Sequence, residues 1–237
     1  MKPCKFRLLT FSGIDGAGKS TQIDALLRNL RDHGHRLQLY TFWDDVVAFS
    51  KYREHLSLHV FKGDKGVGSP ERPIARRDKN VGAWYVVVLR LILYFFDAIR
   101  LSMVIAGCSG ADIEYVIFDR YIYDELANLP FQHWPVRLYV RSLLRRVPKP
   151  DQAFLLDADP ETAVSRKPEY PLEFVRRSRH AYLTIARIAG MAVLPPSSIA
   201  ETAQSIRTSI ANLDQDANSQ VLSSTRISAN GVKTQSG

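Results

Sequence analysis

Eight residues near the amino terminus, Gly13-Ile14-Asp15-Gly16-Ala17-Gly18-Lys19-Ser20, follow the spacing G-x-x-x-x-G-K-[ST] in full. The pattern is short, so its flanks decide its meaning. Ahead lies the apolar run Leu8-Leu9-Thr10-Phe11, which reads as a strand; behind it, Ile23, Leu26, Leu27 and Leu30 recur at helical spacing. A strand feeding a glycine-rich loop that opens a helix is the arrangement in which backbone wraps a chain of phosphates. Gly13, Gly16 and Gly18 remove side chains where N–H groups must approach phosphate oxygens, and the positive end of the following helix faces the same anion. Lys19 then supplies a flexible cation to the β- and γ-phosphates, and the Ser20 hydroxyl a magnesium ligand. Gly13 and Gly16 stand three apart, which excludes the dinucleotide spacing G-x-G-x-x-G. The expected ligand is a nucleoside triphosphate.

The rest of the chain supports one α/β domain. Short apolar runs at Phe6–Phe11, Arg36–Thr41, Tyr115–Phe118, Ala153–Leu156 and Met191–Leu194 read as strands. Tyr115–Phe118 and Ala153–Leu156 are continuously apolar, as strands buried on both faces are. Helical patterns lie between and around them, at Lys19–His33, Val81–Ala106, Val136–Arg146, Pro160–Ser165, Leu172–Ile188 and Ile199–Leu213. The alternation predicts a doubly wound, five-stranded parallel sheet flanked by helices. Lys62–Asn80, rich in Gly, Pro and charge, reads as a functional or disordered insert. Residues 214–237 are polar and aperiodic and read as a disordered tail, leaving 1–213 as the domain.

Among 237 residues, 32 Lys and Arg outnumber 24 Asp and Glu, a net charge of +8. That surplus calls for an anionic partner: nucleic acid, a membrane surface or a phosphorylated small molecule. It is gathered in Lys62–Lys79, Arg137–Lys149 and Arg166–Arg179. Val81–Ala106 is the most apolar stretch, but Arg90, Asp97 and Arg100 interrupt it, and a span needs roughly 20 mostly apolar residues. It reads as a buried helix, so no membrane partner is expected. Arg137, Arg141 and Arg145 recur every four residues near Trp134 and Tyr139, a pattern that single-stranded nucleic acid could use. A solvated helix face explains them more simply. Two distant cysteines, Cys4 and Cys108, and no recognisable secretion signal fit a cytoplasmic protein. The six histidines show no metal-ligand spacing.

A second motif, Tyr115-Val116-Ile117-Phe118-Asp119-Arg120-Tyr121, puts a carboxylate and a guanidinium just past a buried strand. Open α/β sheets collect their ligands there. Asp119 suits a magnesium-bound water and Arg120 a second phosphate; a capped turn and a surface pair are the plainer alternative.

Together the segments Phe11–Gln22, Phe118–Tyr121 and Pro150–Glu161, with Ala163 and Arg166, resemble the thymidylate kinase family of P-loop nucleoside monophosphate kinases. The resemblance spans about residues 6–213 and implies the P-loop NTPase fold. It also implies ATP as co-substrate, Mg2+ as cofactor, a phosphorylated acceptor, with dTMP as the first choice, and a homodimer. By the same resemblance, Gly13, Asp15, Gly16, Ala17, Gly18, Lys19, Ser20 and Thr21 would hold ATP, with Asp15 also near the acceptor's sugar. Ser20 and Asp119 would hold the metal, and Arg120 the acceptor phosphate. Members with glycine at the Gly16 position draw a catalytic arginine from the lid; the candidates are Arg166, Lys167, Arg176, Arg177 and Arg179, with Arg166 favoured by its spacing from Pro160. The expected catalytic group is therefore Asp15, Lys19, Arg120 and Arg166.

The chain departs from the family on the acceptor side. Thr41-Phe42-Trp43-Asp44-Asp45 replaces an Arg- or Pro-containing turn, and Asp97-Ala98-Ile99-Arg100 replaces an Asp-Arg pair. Asp124 stands where a small hydroxyl residue is usual, and the lid is short. Phe42, Trp43, Arg100, Arg120 and Tyr121 are the acceptor-binding candidates. Two readings follow: a kinase of a nucleoside monophosphate, or of another nucleoside or small metabolite, and a regulatory ATP-binding protein with little kinase activity.

Overall fold

The alternating apolar runs settle into a sheet with two dissimilar faces. In the computed structural model, which describes residues 6–47 and 84–231, β1 (Arg7–Ser12) leads through the glycine loop to α1 (Lys19–Asp32) and β2 (Leu37–Thr41). A π-helical turn, Phe42–Val46, follows. Then come α2 (Trp84–Cys108), β3 (Tyr115–Asp119), α3 (Ile122–Leu126), α4 (Trp134–Leu144), β4 (Gln152–Leu156), α5 (Pro160–Arg166), α6 (Leu172–Ala189), β5 (Ala192–Leu194) and α7 (Ile199–Gly231). The insert Lys62–Asn80 lies outside the described residues.

All strand pairings are parallel, in the order β2-β3-β1-β4-β5. Because successive side chains alternate faces, β1 sends Leu8 to one core and Leu9 and Phe11 to the other. Leu9, Phe11, Ile117, Phe154 and Leu156 pack against Ile23, Leu26 and Leu27 of α1 and Ile206 and Ile210 of α7. On the opposite face, Val116, Phe118 and Leu155 meet Leu101 and Ile105 of α2, Val140 of α4 and Ile185 of α6. Helices cover both faces, so the chain has the doubly wound α/β fold expected of it. Both motifs sit at the carboxyl end of the sheet: β1 opens the glycine loop and β3 ends at Asp119, paired in register with Phe11.

Two expectations change. The helix read as buried, α2, is covered on one side only. Tyr94, Asp97, Ala98, Leu101 and Ile105 are buried, whereas Tyr85, Val88, Ile92, Phe95, Phe96, Ile99 and Met103 are exposed. Its best 18-residue window has a mean hydropathy of 1.8 and is one-third buried, so by length and composition alone it could cross a membrane. Of its three charges Asp97 is buried against the protein, Arg90 is half-buried and Arg100 is exposed, and the outward side is otherwise apolar. The last helix, expected to end at Leu213, continues to Gly231 through the segment read as a disordered tail. Asp214 is tied to the body: Arg7 Nε donates to it at 3.2 Å and the Tyr115 hydroxyl at 2.8 Å. Those bonds link α7 to the start of β1 and β3 where the apolar pattern stops.

Candidate active site

The glycine loop closes tightly because its neighbours leave no room for side chains. A Cβ on Gly13 would stand 2.6 Å from the Leu156 carbonyl oxygen, and one on Gly16 2.5 Å from that of Ala163. Both have positive φ, at 148° and 84°. Lys19, the first residue of α1, folds back so that Nζ donates to the carbonyl oxygens of Gly13 (2.9 Å) and Ile14 (2.8 Å). Burial, and then the charge of Arg120, draws its ammonium down to about 8, against the pull of Asp15, Asp124 and Asp119. A polyphosphate entering the loop would restore the full charge. Ser20 follows with an exposed hydroxyl at the helix start.

Arg120 leaves β3 with a φ of 67°, and among the described residues it is the one non-glycine with positive φ. Such a backbone costs on the order of 1–3 kcal/mol and persists only where its surroundings over-determine it. Here its N–H donates to the Phe11 carbonyl at 2.9 Å, and its guanidinium is gripped from three sides. It donates to Asp15 Oδ1, to Asp124 Oδ1 at 3.2 Å and to the Tyr182 hydroxyl oxygen at 3.3 Å. Burial opposes its charge, but Tyr182, Asp124 and Asp15 together overcome that and hold it protonated. Asp124 is itself enclosed: Oδ2 accepts from Ser12 Oγ (2.6 Å) and the Tyr121 N–H (3.0 Å), and Oδ1 from the Tyr182 hydroxyl (2.8 Å).

Asp119 differs from the other carboxylates. Its Oδ1 is buried with no hydrogen-bond partner among the described residues. Burial raises its carboxyl above the usual range, with Lys19 and Arg120 opposing. A buried, unpartnered carboxylate oxygen near a phosphate loop is what a hard divalent cation, or water bound to one, would satisfy. With the exposed Ser20 hydroxyl, the residues fit magnesium.

The loop separates two cavities. One, about 270 Å³, is lined by Gly16, Ala17, Gly18, Thr21, Arg166 and the turn Pro195–Ser197. The other, about 390 Å³, is lined by Ile14, Asp15 and Arg120, and by Lys167, Arg177 and Arg90. The expected catalytic group is thus brought together around one loop, with Arg166 on the first side and Asp15 and Arg120 on the second. Arg176 and Arg179 are engaged elsewhere, the former with Glu161 and the latter bidentate to Asp157 at 2.6 and 2.7 Å.

Four acceptor candidates lie elsewhere. The Phe42 side chain is completely buried, packed 6.5 Å from the Tyr121 ring, because the π-helical turn points it into the core. Tyr121 is also fully buried, and its hydroxyl donates to the Pro148 carbonyl at 2.6 Å. Trp43, on the outer side of the same turn, is 38% exposed and lines neither cavity. Arg100 is exposed and lines neither; ten residues at about 1.5 Å each carry it well beyond Arg90 along α2. Sequence reasoning missed Arg90, Asn128, Gln132, Phe174 and Tyr182, which line the second cavity. Arg90 carried a usable signal, since a charge inside so apolar a helix demands a reason.

The parallel sheet, the phosphate loop between paired cavities and the convergent cations define a P-loop phosphotransferase. Comparison with known proteins narrows this. No family model matches the chain. It is 30% identical over 201 residues to the thymidylate kinase of Ruegeria pomeroyi, covering 76% of this chain and 81% of that protein. It is 25% identical over 224 residues to a probable thymidylate kinase of Archaeoglobus fulgidus, covering 89% of this chain and all of that one. The chain belongs to the thymidylate kinase family and is a nucleotide kinase.

Proposed function

We propose that this kinase moves the γ-phosphate of ATP to a nucleoside monophosphate in the cytoplasm, with dTMP the first acceptor and Mg2+ the cofactor. The observation that carries this reading is the phosphate loop as a shared wall: Gly16–Gly18 face one cavity, Ile14 and Asp15 the other. A donor on the first side and an acceptor on the second would meet across Lys19. The acceptor's phosphate oxygen attacks the γ-phosphorus, the bond to the bridging oxygen breaks, and ADP leaves. Phosphoryl transfer of this kind needs positioning and charge neutralisation rather than a covalent intermediate. Loop N–H groups and Lys19 hold the triphosphate, and Thr21 borders its cavity. Arg120, fixed by Asp15 and Asp124, holds the acceptor phosphate. Arg166 is the lid arginine on the donor side. Ser20 and Asp119 would hold Mg2+, which neutralises charge on the β- and γ-phosphates. The exposed apolar face of α2 is covered by a second copy of the chain.

A coupled assay with ATP across dTMP, dUMP and the other monophosphates tests the reading. Turnover with dTMP above the others is expected. ATP binding without turnover of any of them would overturn it in favour of a regulatory ATP-binding role.

A further inference from the structure

Two arginines of the basic stripe of α4, Arg141 and Arg145, are exposed and on neither side of the phosphate loop, yet they converge with two further cations. Arg141 and Arg145 at the end of α4, Lys149 on the segment entering β4, and Arg187 in the last turn of α6 line one cavity of about 530 Å³. No Asp or Glu lines it. Among the described residues, none of the four side chains has a carboxylate or hydrogen-bond partner. Five other arginines, Arg7, Arg36, Arg120, Arg176 and Arg179, are paired with carboxylates, whereas these four cations converge on one hollow with no counter-charge in its wall. Helix carboxyl ends favour a cation each, but that leaves Lys149 and the convergence on one hollow unexplained. Like charges gathered without counter-charge repel, and an anion bound among them relieves it.

The geometry points to a second phosphate-binding site here, for a small organic anion carrying two or more phosphates, such as a nucleoside di- or triphosphate. Four cations exceed what one phosphate needs, and the volume falls in the range of small-molecule sites. The cavity is also part apolar, with Ile188 and the Tyr123 ring in its wall, so the ligand has a body as well as phosphates. Lys149 and Ala189 lie on segments that enter β4 and β5, at the amino ends of those strands. The phosphate loop follows the carboxyl end of β1, so this is a separate site. Tyr123 adjoins Asp124 on α3, and a ligand against it touches the helix that fixes Arg120.

The test uses the full chain with Lys19→Ala, which removes the phosphate loop's cation, and measures binding of ATP and inorganic tripolyphosphate by calorimetry. Binding that weakens as salt rises is expected, with Kd raised about tenfold or more by Arg141→Glu with Arg187→Glu. Arg145→Gln and Lys149→Gln, at exposed positions, should each give smaller losses and guard against a misfolded double variant. On the Lys19 background the double variant should keep its kinase activity, which separates this site from the phosphate-transfer reading. Absence of binding to the Lys19→Ala chain, or affinity unchanged by the charge reversals, would overturn the proposal. So would a single-stranded oligonucleotide of about 20 residues binding far more tightly than tripolyphosphate and lost with the same substitutions, since the groove would then serve a nucleic-acid backbone.

Discussion

Asp124 holds Arg120 from below while Asp15 holds it from the loop, and the two carboxylates do different work. Asp124 is almost fully buried and accepts from Ser12, the Tyr121 N–H, Tyr182 and Arg120. Removing it leaves a buried guanidinium and a left-handed backbone with one anchor fewer. Asp124→Ser, which restores the small hydroxyl of the wider family, should therefore destabilise the fold by about 3 kcal/mol. It should also raise the KM for the acceptor more than that for ATP. Denaturant unfolding and initial-rate kinetics read both effects; an unchanged acceptor KM would reduce Asp124 to a structural part. Asp15 shows itself in acid. Burial would raise its carboxyl, but Arg120, Lys19 and Lys167 outweigh that and hold it below 3.8. A carboxyl depressed in the folded state contributes stability above its unfolded value, and loses it as pH falls through the folded one. Melting temperature should thus fall more steeply below about pH 4 in the native chain than in Asp15→Asn. Parallel curves would show that the pair carries no acid sensitivity.

Elements meet at the glycine loop, and the contact with α5 is testable through backbone alone. Gly16 lies against Ala163, inside the helix that ends in Arg166, so the loop and Arg166, the proposed lid arginine, share one fixed spacing. Gly16→Ala would push a methyl into the Ala163 carbonyl oxygen, whereas a Cβ on Gly18 meets nothing within 4 Å. Gly18→Ala carries only the left-handed penalty, about 1–2 kcal/mol. Gly16→Ala should lower stability by more than that and abolish ATP binding, as melting curves and nucleotide titration would record. Equal effects would mean that α5 yields. The same elements show how much was legible. The phosphate loop, five strands and the long helices were readable, because continuous apolar runs and amphipathic periods are local signals. The π-helical turn Phe42–Val46 and the five-residue α3 span too few residues to show a period. Phe42 and Tyr121 consequently read as pocket aromatics rather than core. Arg120 and Asp124 stand four apart, a spacing that could have paired them. Tyr182, which completes their network from α6, is 62 residues from Arg120, and no local pattern announces such a partner.

At the scale of the whole molecule, the charge surplus and the apolar surplus lie on different surfaces. Cations gather around the cavities, while α2 presents Tyr85, Val88, Ile92, Phe95, Ile99 and Met103 to solvent. The first five of these are spaced three and four residues apart in turn, the seam with which one helix packs on another. Lipid would favour an apolar surface all round, and the other side of α2 already holds a buried Asp97 against the protein. Aromatic and aliphatic side chains exposed along one face form a contiguous apolar stripe, and its burial against a like face would contribute roughly 25 cal/mol per Å² before the costs of association. A second copy would supply that like face, since a two-fold interface sets the same patch against itself. Sedimentation equilibrium at micromolar concentration should give twice the chain mass of 26.8 kDa. Ile92→Lys with Phe96→Glu, at positions already exposed, should give the monomer with its circular dichroism and melting transition preserved. A native chain that sediments as a monomer, or a variant that stays dimeric, would move the interface off α2. Detergent-dependent solubility of the native chain, relieved by the same two substitutions, would instead assign the face to lipid.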